Sequence, residues 1–334
     1  MKHLIVGFCG SMGKRRVRCL KSLGRRKIYG YDTSDRAKSV ADELKIELIE
    51  DITDFNNGIV IISTPPKNHM EYIDTFITQN CHVFCEASVV PSDRHMYKSI
   101  ARRSIERNLT LFPSATIKFK DSVCFIKQSI DDGQIGNILS YDYRFAQNLR
   151  TWHPYQDICD FYVSDPASGA GREMTAFELS WLTWLFGLDC SILGATVSKI
   201  SEISESTGID DFYNFIIKHN YNNSSTIGSV AIDVFSHRPY RVLRIAGTKG
   251  NIEFDWIENR VTVYNSKNRA IEEYSEMETK VQEGYTKFST EKMYIEEIRN
   301  FIESIDNKSV SKCDISDDYK VLALVEEIER RNHK

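Results

Sequence analysis

Short apolar runs alternate with amphipathic stretches over the first 120 residues. Leu4-Ile5-Val6 reads as a buried strand, and Lys14 to Leu23 as a helix with Val17, Leu20 and Leu23 at spacings of three. Lys27 to Tyr31 predicts a second strand. Ser34 to Leu44 predicts a second helix capped by Thr33 or Ser34, and Ile46 to Ile49 a third strand. Ile59 to Ile62 is apolar throughout and stops at Ser63-Thr64-Pro65-Pro66, as a strand covered on both faces does. Met70 to Thr78 and Ser92 to Glu106 read as helices, and His82 to Glu86 and Thr110 to Phe112 as strands. Strands alternating with helices at this spacing predict a doubly wound parallel sheet, with right-handed crossovers placing helices on both faces.

Beyond about residue 120 the period changes. Asp121 to Ile130 reads as a helix ended by Asp132-Gly133. Strand-like runs follow at Ile138 to Gln147, Ser191 to Ile203, Phe212 to Asn220, Thr226 to Ser236, Tyr240 to Ala246, Gly250 to Trp256 and Val261 to Asn265. Their period near two, with polar turns, predicts a large open, mostly antiparallel sheet with one wet face. One helix, Thr175 to Phe186, is embedded early in this half. Two more close the chain, Glu291 to Ile305 and Asp317 to Arg331 with Ser316 as cap. Asn220 to Ser225 reads as a polar turn and Glu272 to Gly284 as a charged, mobile stretch. The expected fold class is α/β, with a doubly wound domain over residues 1–118 and an α+β domain over 119–334 whose C-terminal helix packs back toward the first.

Composition narrows the function. The 334 residues are 41% hydrophobic, and 43 Lys and Arg against 47 Asp and Glu give a net charge of −4. So even a balance argues against nucleic acid as partner, and no apolar run approaches the ~18–20 residues of a membrane-spanning helix. Met1-Lys2-His3 is not followed by a long apolar core and cleavage site, so no signal peptide is expected and the compartment is read as the cytoplasm. Cys9, Cys19, Cys81, Cys85, Cys124, Cys159, Cys190 and Cys313 are scattered without a CxxC pair. They read as buried thiols in a reducing compartment, with no metal site.

The segment L-I-V-G-F-C-G-S-M-G-K-R-R joins the first strand to the first helix. Gly7, Gly10 and Gly13 suit a tight turn, backbone approach to a pyrophosphate and close helix–sheet contact, with Cys9, Ser11 and Met12 in the same loop. The helix start favours the anion. The spacing GxxGxxG is one residue longer than the commoner GxGxxG, so either Cys9 is inserted or Phe8 stands where a glycine would. Asp32, 19 residues beyond Gly13, ends the second strand. Its carboxylate is read either as the acceptor for ribose hydroxyls, favouring NAD over NADP, or as a cap with Thr33 and Ser34. Arg36 lies close enough in sequence to blunt the preference.

With these residues in place, the chain resembles the Gfo/Idh/MocA family of sugar oxidoreductases. The likeness rests on V-G-F-C-G-S-M-G-K-R-R, on I-I-S-T-P-P-K-N-H from Ile61, on V-F-C-E-A-S from Val83 and on I-K-F-K-D-S-V from Ile117. G-Q-I-G-N from Gly133, A-G-T-K-G-N-I-E-F-D from Ala246 and the closing helices extend it over nearly the whole chain. The resemblance implies an N-terminal Rossmann domain and a C-terminal domain with an open sheet. It adds Ser63, Thr64, Pro65, Pro66, His69, Glu86 and Ala87 to the cofactor contacts. It also implies a homodimer or homotetramer formed through that sheet.

Two departures stand out. The family's E-K-P lysine corresponds to Ala87, and its D-x-x-x-H pair corresponds to Glu173 and Phe177 in S-G-A-G-R-E-M-T-A-F-E-L-S-W-L-T-W-L-F-G. Glu173 is the replacement acid–base expected from this alignment. Glu178, five residues on, diverges from it by roughly 140° on a helix, and is read as a substrate contact, a buried acid or a network member. Arg172 reads either as a fork for a carboxylate or phosphate of the ligand or, with Glu173, as a structural ion pair at a helix start. In the loop R-T-W-H-P-Y-Q-D, Trp152 and Tyr155 suit stacking on a sugar face, and His153 or Tyr155 suits proton exchange. Lys118 is read as a substitute for the missing cation or as an ordinary surface lysine, and His69 as shaping the nicotinamide pocket. The leading expectation is an NAD-dependent oxidoreductase acting on a sugar, sugar phosphate or nucleotide sugar, as in bacterial surface-polysaccharide or amino-sugar metabolism. The alternatives are an epimerase or lyase that retains NAD, and an NAD(H)-binding regulatory subunit.

Overall fold

The computed structural model describes residues 1–87, 94–152, 157–221, 224–267, 269–276 and 290–331. Two compact units divide the chain: Met1–Phe119 with Thr290–Tyr319, and Lys120–Ser289 with Lys320–Lys334.

The first unit runs β1 (His3–Val6), α1 (Ser11–Ser22), β2 (Ile28–Tyr31), α2 (Ala37–Leu44), β3 (Glu47–Leu48), β4 (Ile59–Ile62), α3 (His69–Thr78), β5 (His82–Cys85), α4 (Arg94–Glu106) and β6 (Leu111–Pro113). Its six strands lie in the order β3-β2-β1-β4-β5-β6, every pair parallel. Every residue of β1 and β4 is buried, His3 included, as the apolar runs Leu4-Ile5-Val6 and Ile59 to Ile62 require of central strands. The strand order reverses between β1 and β4, the place where an open α/β sheet presents its ligand crevice.

The second unit begins with α5 (Asp121–Asp131) and β7 (Ile138–Ala146), followed by α6 (Ala170–Phe186), β8 (Cys190–Ser198) and a short α7 (Glu202–Thr207). Then come β9 (Phe212–Tyr221), β10 (Ser224–Asp233), β11 (Tyr240–Gly247), β12 (Gly250–Asp255), β13 (Arg260–Asn265) and β14 (Ala270–Ser275). The eight strands order as β14-β13-β12-β11-β7-β10-β9-β8. Only β7–β10 is parallel among the described pairs, and the rest are antiparallel. α6 packs on β9 and β10, and α5 on β13 and β14. α8 (Glu291–Ile305) and the first turn of α9 (Ile315–Arg331) fall in the first unit, where Phe301 of α8 lies 5.7 Å from Phe84 and 5.4 Å from Phe112, ring to ring.

Several boundaries differ from the sequence expectation, each for a local reason. α2 starts at Ala37 rather than Ser34, because Ser34 is held in a turn by its own N–H on Asp32. α6 starts at Ala170, so the glycine-rich run is its first turn rather than a loop before it. The strand expected over Ser191 to Ile203 stops at Ser198. Ser201 then caps α7, its Oγ accepting from Ile203 N at 3.2 Å, and buried Asp211 takes the N–H groups of Ile200 and Ser201. Asp314, not Ser316, caps α9, accepting from Ser316 N at 2.7 Å. The charged stretch expected to be mobile supplies β14 at the sheet's edge up to Ser275, where backbone pairing to β13 outweighs the polar side chains. Residues 277–289 lie outside the described residues.

Candidate active site

Gly7 follows β1 with φ of +82°, and its N–H donates to Tyr31 O at 2.9 Å, closing β1 onto β2. A Cβ on Gly7 would stand 2.7 Å from Ser63 O, and one on Gly13 would stand 2.2 Å from Gly7 O. No other residue fits either position. Gly10 caps α1 without a side-chain hydrogen bond, and the first turn holds no acid, so the positive end of the helix is left to favour an anion. Phe8 is wholly buried and packs where β2 has Gly30, so it serves the core rather than the loop. The Asp32 carboxylate at the end of β2 accepts from Cys9 N and Ser34 N, each at 2.9 Å. It thus pins the glycine loop and makes the turn before α2 with one side chain. Burial and Asp32 push the Cys9 thiol up to about 11, so it stays neutral at physiological pH. Arg36 is exposed, its N–H on Ser34 Oγ.

The loop after β4 carries Ser63, Thr64, Pro65 and Pro66 into α3. His69, the first residue of α3, is buried, and desolvation lowers its pKa, so the ring is neutral. Its Nε2–H then donates to Thr64 O at 2.7 Å, with Nδ1 left as an acceptor that has no partner among the described residues. Thr64 Oγ1 is likewise buried and unpartnered. After β5, Glu86 is gripped by Arg16, Nε to Oε1 at 2.5 Å and Nη2 to Oε2 at 2.9 Å, with Ser63 Oγ donating at 3.4 Å. Ala87 follows it, and 88–93 lie outside the described residues. Lys118 is only 5% exposed and donates to Lys312 O at 3.2 Å, which removes the surface-lysine reading.

In the second unit, Glu173 sits in the first turn of α6. Tyr162, on the short turn Tyr162–Ser164, donates its hydroxyl to Glu173 Oε1 at 3.1 Å. Oε2 is buried with no partner among the described residues. Burial drives the carboxyl up to about 7, against the lowering effect of the Tyr162 hydrogen bond. Trp152 and Tyr162 both pack on an apolar cluster of Leu149, Val163, Ala170, Ile203, Ile209 and Val234, and the buried Trp152 Nε1–H has no partner among the described residues. Arg172 forms an ion pair with Glu329 of α9, which also accepts from Tyr213. Glu178 is 0% exposed: Arg241 holds Oε1 at 2.6 Å, while Tyr143 and Trp181 donate to Oε2 at 2.5 and 2.7 Å. Of the three readings of Glu178, the structure places it in a network between α6 and the sheet. His153 and Tyr155 lie outside the described residues.

Residues 1–110 match the "Oxidoreductase family, NAD-binding Rossmann fold", and residues 124–253 match the "GFO/IDH/MocA C-terminal domain", together well over half of the chain. The chain belongs to the Gfo/Idh/MocA family. Its first unit is that family's NAD-binding Rossmann domain. The fold is shared with a levoglucosan dehydrogenase solved with NADH, at 17% identity and a TM-score of 0.81 over 100% of this chain and 97% of that one. A putative myo-inositol dehydrogenase from Sinorhizobium meliloti 1021 gives 18% identity and a TM-score of 0.78 over 100% and 97%. An uncharacterized oxidoreductase of Schizosaccharomyces pombe is 25% identical over 112 residues, which are 33% of this chain and 30% of that protein's length.

For a Gfo/Idh/MocA chain, the cofactor half fits. Gly7 and Gly13 leave the backbone bare and the start of α1 carries no side-chain cap. Thr64 Oγ1 is an orphaned polar atom beside that loop's partner strand. Gly7, Gly10, Ser11, Met12 and Gly13 would hold the pyrophosphate, Asp32 the ribose, and Ser63 to Pro66 with His69 the wall of the nicotinamide pocket. Three residues escaped the sequence reading. Arg16 looked like one of a run of surface cations, Arg241 contacts a helix 63 residues away, and Tyr162 sits in a segment without period. Only its aromatic pair, F-Y at 161–162 shortly before the glycine run, offered a signal.

Proposed function

We propose that the protein is an NAD-dependent oxidoreductase that interconverts a secondary alcohol and a ketone on a sugar, sugar phosphate or nucleotide sugar, with Glu173 moving the proton. The observation that carries this is Glu173 itself, a buried carboxyl near pKa 7 whose Oε2 has no partner among the described residues. An acid–base catalyst works best when its pKa lies close to the working pH, and carboxyls reach that range through desolvation. Oε2 takes the proton of the reacting hydroxyl in the oxidising direction and returns it in the reducing one. NAD, when bound, supplies the hydride acceptor or donor. The Trp152 indole, half-buried with its N–H unpartnered among the described residues, offers a sugar both an apolar face and a hydrogen-bond donor. A levoglucosan dehydrogenase and a putative myo-inositol dehydrogenase share the fold, which supports a polyhydroxylated substrate.

The test is NAD reduction, followed at the reduced-nicotinamide absorbance, across aldoses, polyols, sugar phosphates and nucleotide sugars. Turnover confined to one of these classes is expected. Binding of NAD with no turnover in either direction over the whole panel would sink the reading. NAD that stays bound and returns to its starting oxidation state while the sugar changes would point instead to the epimerase or lyase chemistry.

We further propose that the protein works as a homodimer or homotetramer through the open face of the eight-stranded sheet. Along that face Ile216 and Ile271 are 45% and 64% exposed. Ile216 is paired with Ser229 of β10 and Gly194 of β8, small residues that let another sheet approach. Light scattering at micromolar concentration should give at least twice the 38.5 kDa chain mass. A monomer there, unchanged by Ile216→Lys, would refute it.

A further inference from the structure

We propose that Tyr162 is the positioning residue of the acid–base group: its hydroxyl donates to Oε1 of Glu173 at 3.1 Å and so reserves Oε2 as the oxygen that gives and takes the proton. The inference rests on the reading of Glu173 above and adds to it a named reactive atom and the side chain that selects it. A carboxyl has two oxygens, and a donor fixed on one makes them unequal. When Glu173 is protonated, Oε1 is the acceptor and the proton belongs on Oε2. When it is ionised, Oε1 shares its charge with the Tyr162 hydroxyl, and Oε2 stays bare as the base. Oε2 has no other partner among the described residues.

The tyrosine is built to stay put. Its ring meets Phe161 edge to face at a centroid distance of 4.6 Å and packs on the cluster around Val163 and Ala170. Ser164 Oγ ties the turn back to Cys159 O at 3.1 Å and Phe161 O at 2.8 Å, and Asp165 N donates to Tyr162 O at 3.1 Å. Glu173 is fixed from its own side, its N–H on Gly169 O at 2.9 Å in the first turn of α6. The neighbouring charges are engaged elsewhere. Arg172 is held by Glu329, and Asp211 before β9 by Ser201 and Ile200. Among the described residues, no charged side chain contributes to the Glu173 equilibrium, only burial and the Tyr162 hydrogen bond. Among the described residues, the Tyr162 hydroxyl is therefore the polar group that acts on this acid.

The experiment is an infrared difference titration of the full-length protein between pH 5 and 9, reading the C=O stretch of a buried protonated carboxyl. Glu173→Gln assigns the band by removing it. Tyr162→Phe keeps the ring and its packing, and the band should persist with its midpoint displaced upward, a proton affinity about tenfold higher or more. Site-specific 3-fluorotyrosine at position 162, a stronger donor of nearly the same shape, should displace it downward. A midpoint unmoved by both replacements overturns the positioning role while the acid–base reading of Glu173 stands. If no band near neutrality disappears in Glu173→Gln, that reading falls, and the role of Tyr162 with it.

Discussion

Arg16→Met is expected to destabilise the first unit by about 3–5 kcal/mol at neutral pH, the range for stripping the partner from a buried ion pair. Arg16 lies on α1, is 0% exposed, and bridges two carboxylates from distant parts of the chain. It holds Glu86 through two bonds and Glu297 of α8 at 2.9 Å, and its guanidinium stacks 4.5 Å from the Phe84 ring centroid. Glu297 in turn accepts from Ser114 Oγ, Ala115 N and Thr116 Oγ1 at 2.8 to 3.0 Å. Methionine fills the volume and returns none of the charge. Buried Glu297 and half-buried Glu86 then lose the cation they share.

The pH dependence identifies the cause. Burial already raises the Glu297 carboxyl, with Arg16 pulling it back down. Without Arg16 it rises further. An acid whose pKa is raised in the folded state stabilises the fold below its unfolded value, and that contribution is lost as pH rises through the folded value. The variant should therefore regain stability as pH falls, before general acid unfolding sets in. Arg16→Met with Glu297→Gln should recover part of the loss at neutral pH, since it removes the stranded charge and keeps donors and acceptors for Ser114 and Thr116. Urea unfolding of the three proteins at several pH values decides it. A loss under 1 kcal/mol, or one that does not change with pH, would mean the network is not held by this cation.

This network also marks where sequence reading stops. β1 and β4 were legible because the apolar runs Leu4-Ile5-Val6 and Ile59 to Ile62 suit strands buried on both faces. The glycine loop was legible because its residues contact one another within seven positions. Arg16 was not. In a run of Lys14-Arg15-Arg16 it has the look of a solvated face, and only the arrival of positions 86 and 297 turns it inward. The same holds for Glu178, whose partners Tyr143 and Arg241 come from two strands of the sheet. β14 was hidden for another reason. An edge strand pairs through its backbone, so Glu272 and Glu273 conceal it from any hydrophobic period. Glu173 is singled out by its place in the family resemblance, but its neutral-range pKa depends on burial that no local pattern records.

Glu173→Gln is expected to cut turnover of the preferred sugar by about 10²–10⁴, the usual contribution of a positioned acid–base group, with KM changing much less because glutamine keeps the shape and an acceptor for Tyr162. The same substitution has a consequence that needs no substrate. In the unfolded chain this carboxyl titrates near 4.5, and in the folded protein near 7. Between those values the folded state binds more protons than the unfolded one, so stability falls as pH rises through that window, by up to about 3 kcal/mol. Glutamine has no charge to bury. Glu173→Gln should therefore lose the pH dependence between 4.5 and 7 and be the more stable protein above pH 7. The chain carries an acid where a neutral amide would hold the fold better, as the proposed proton-transfer role requires. Turnover of the sugar at the wild-type rate would show that the carboxyl is not the catalyst, and a melting curve that tracks the wild type at every pH would show that it is not a buried neutral-range acid.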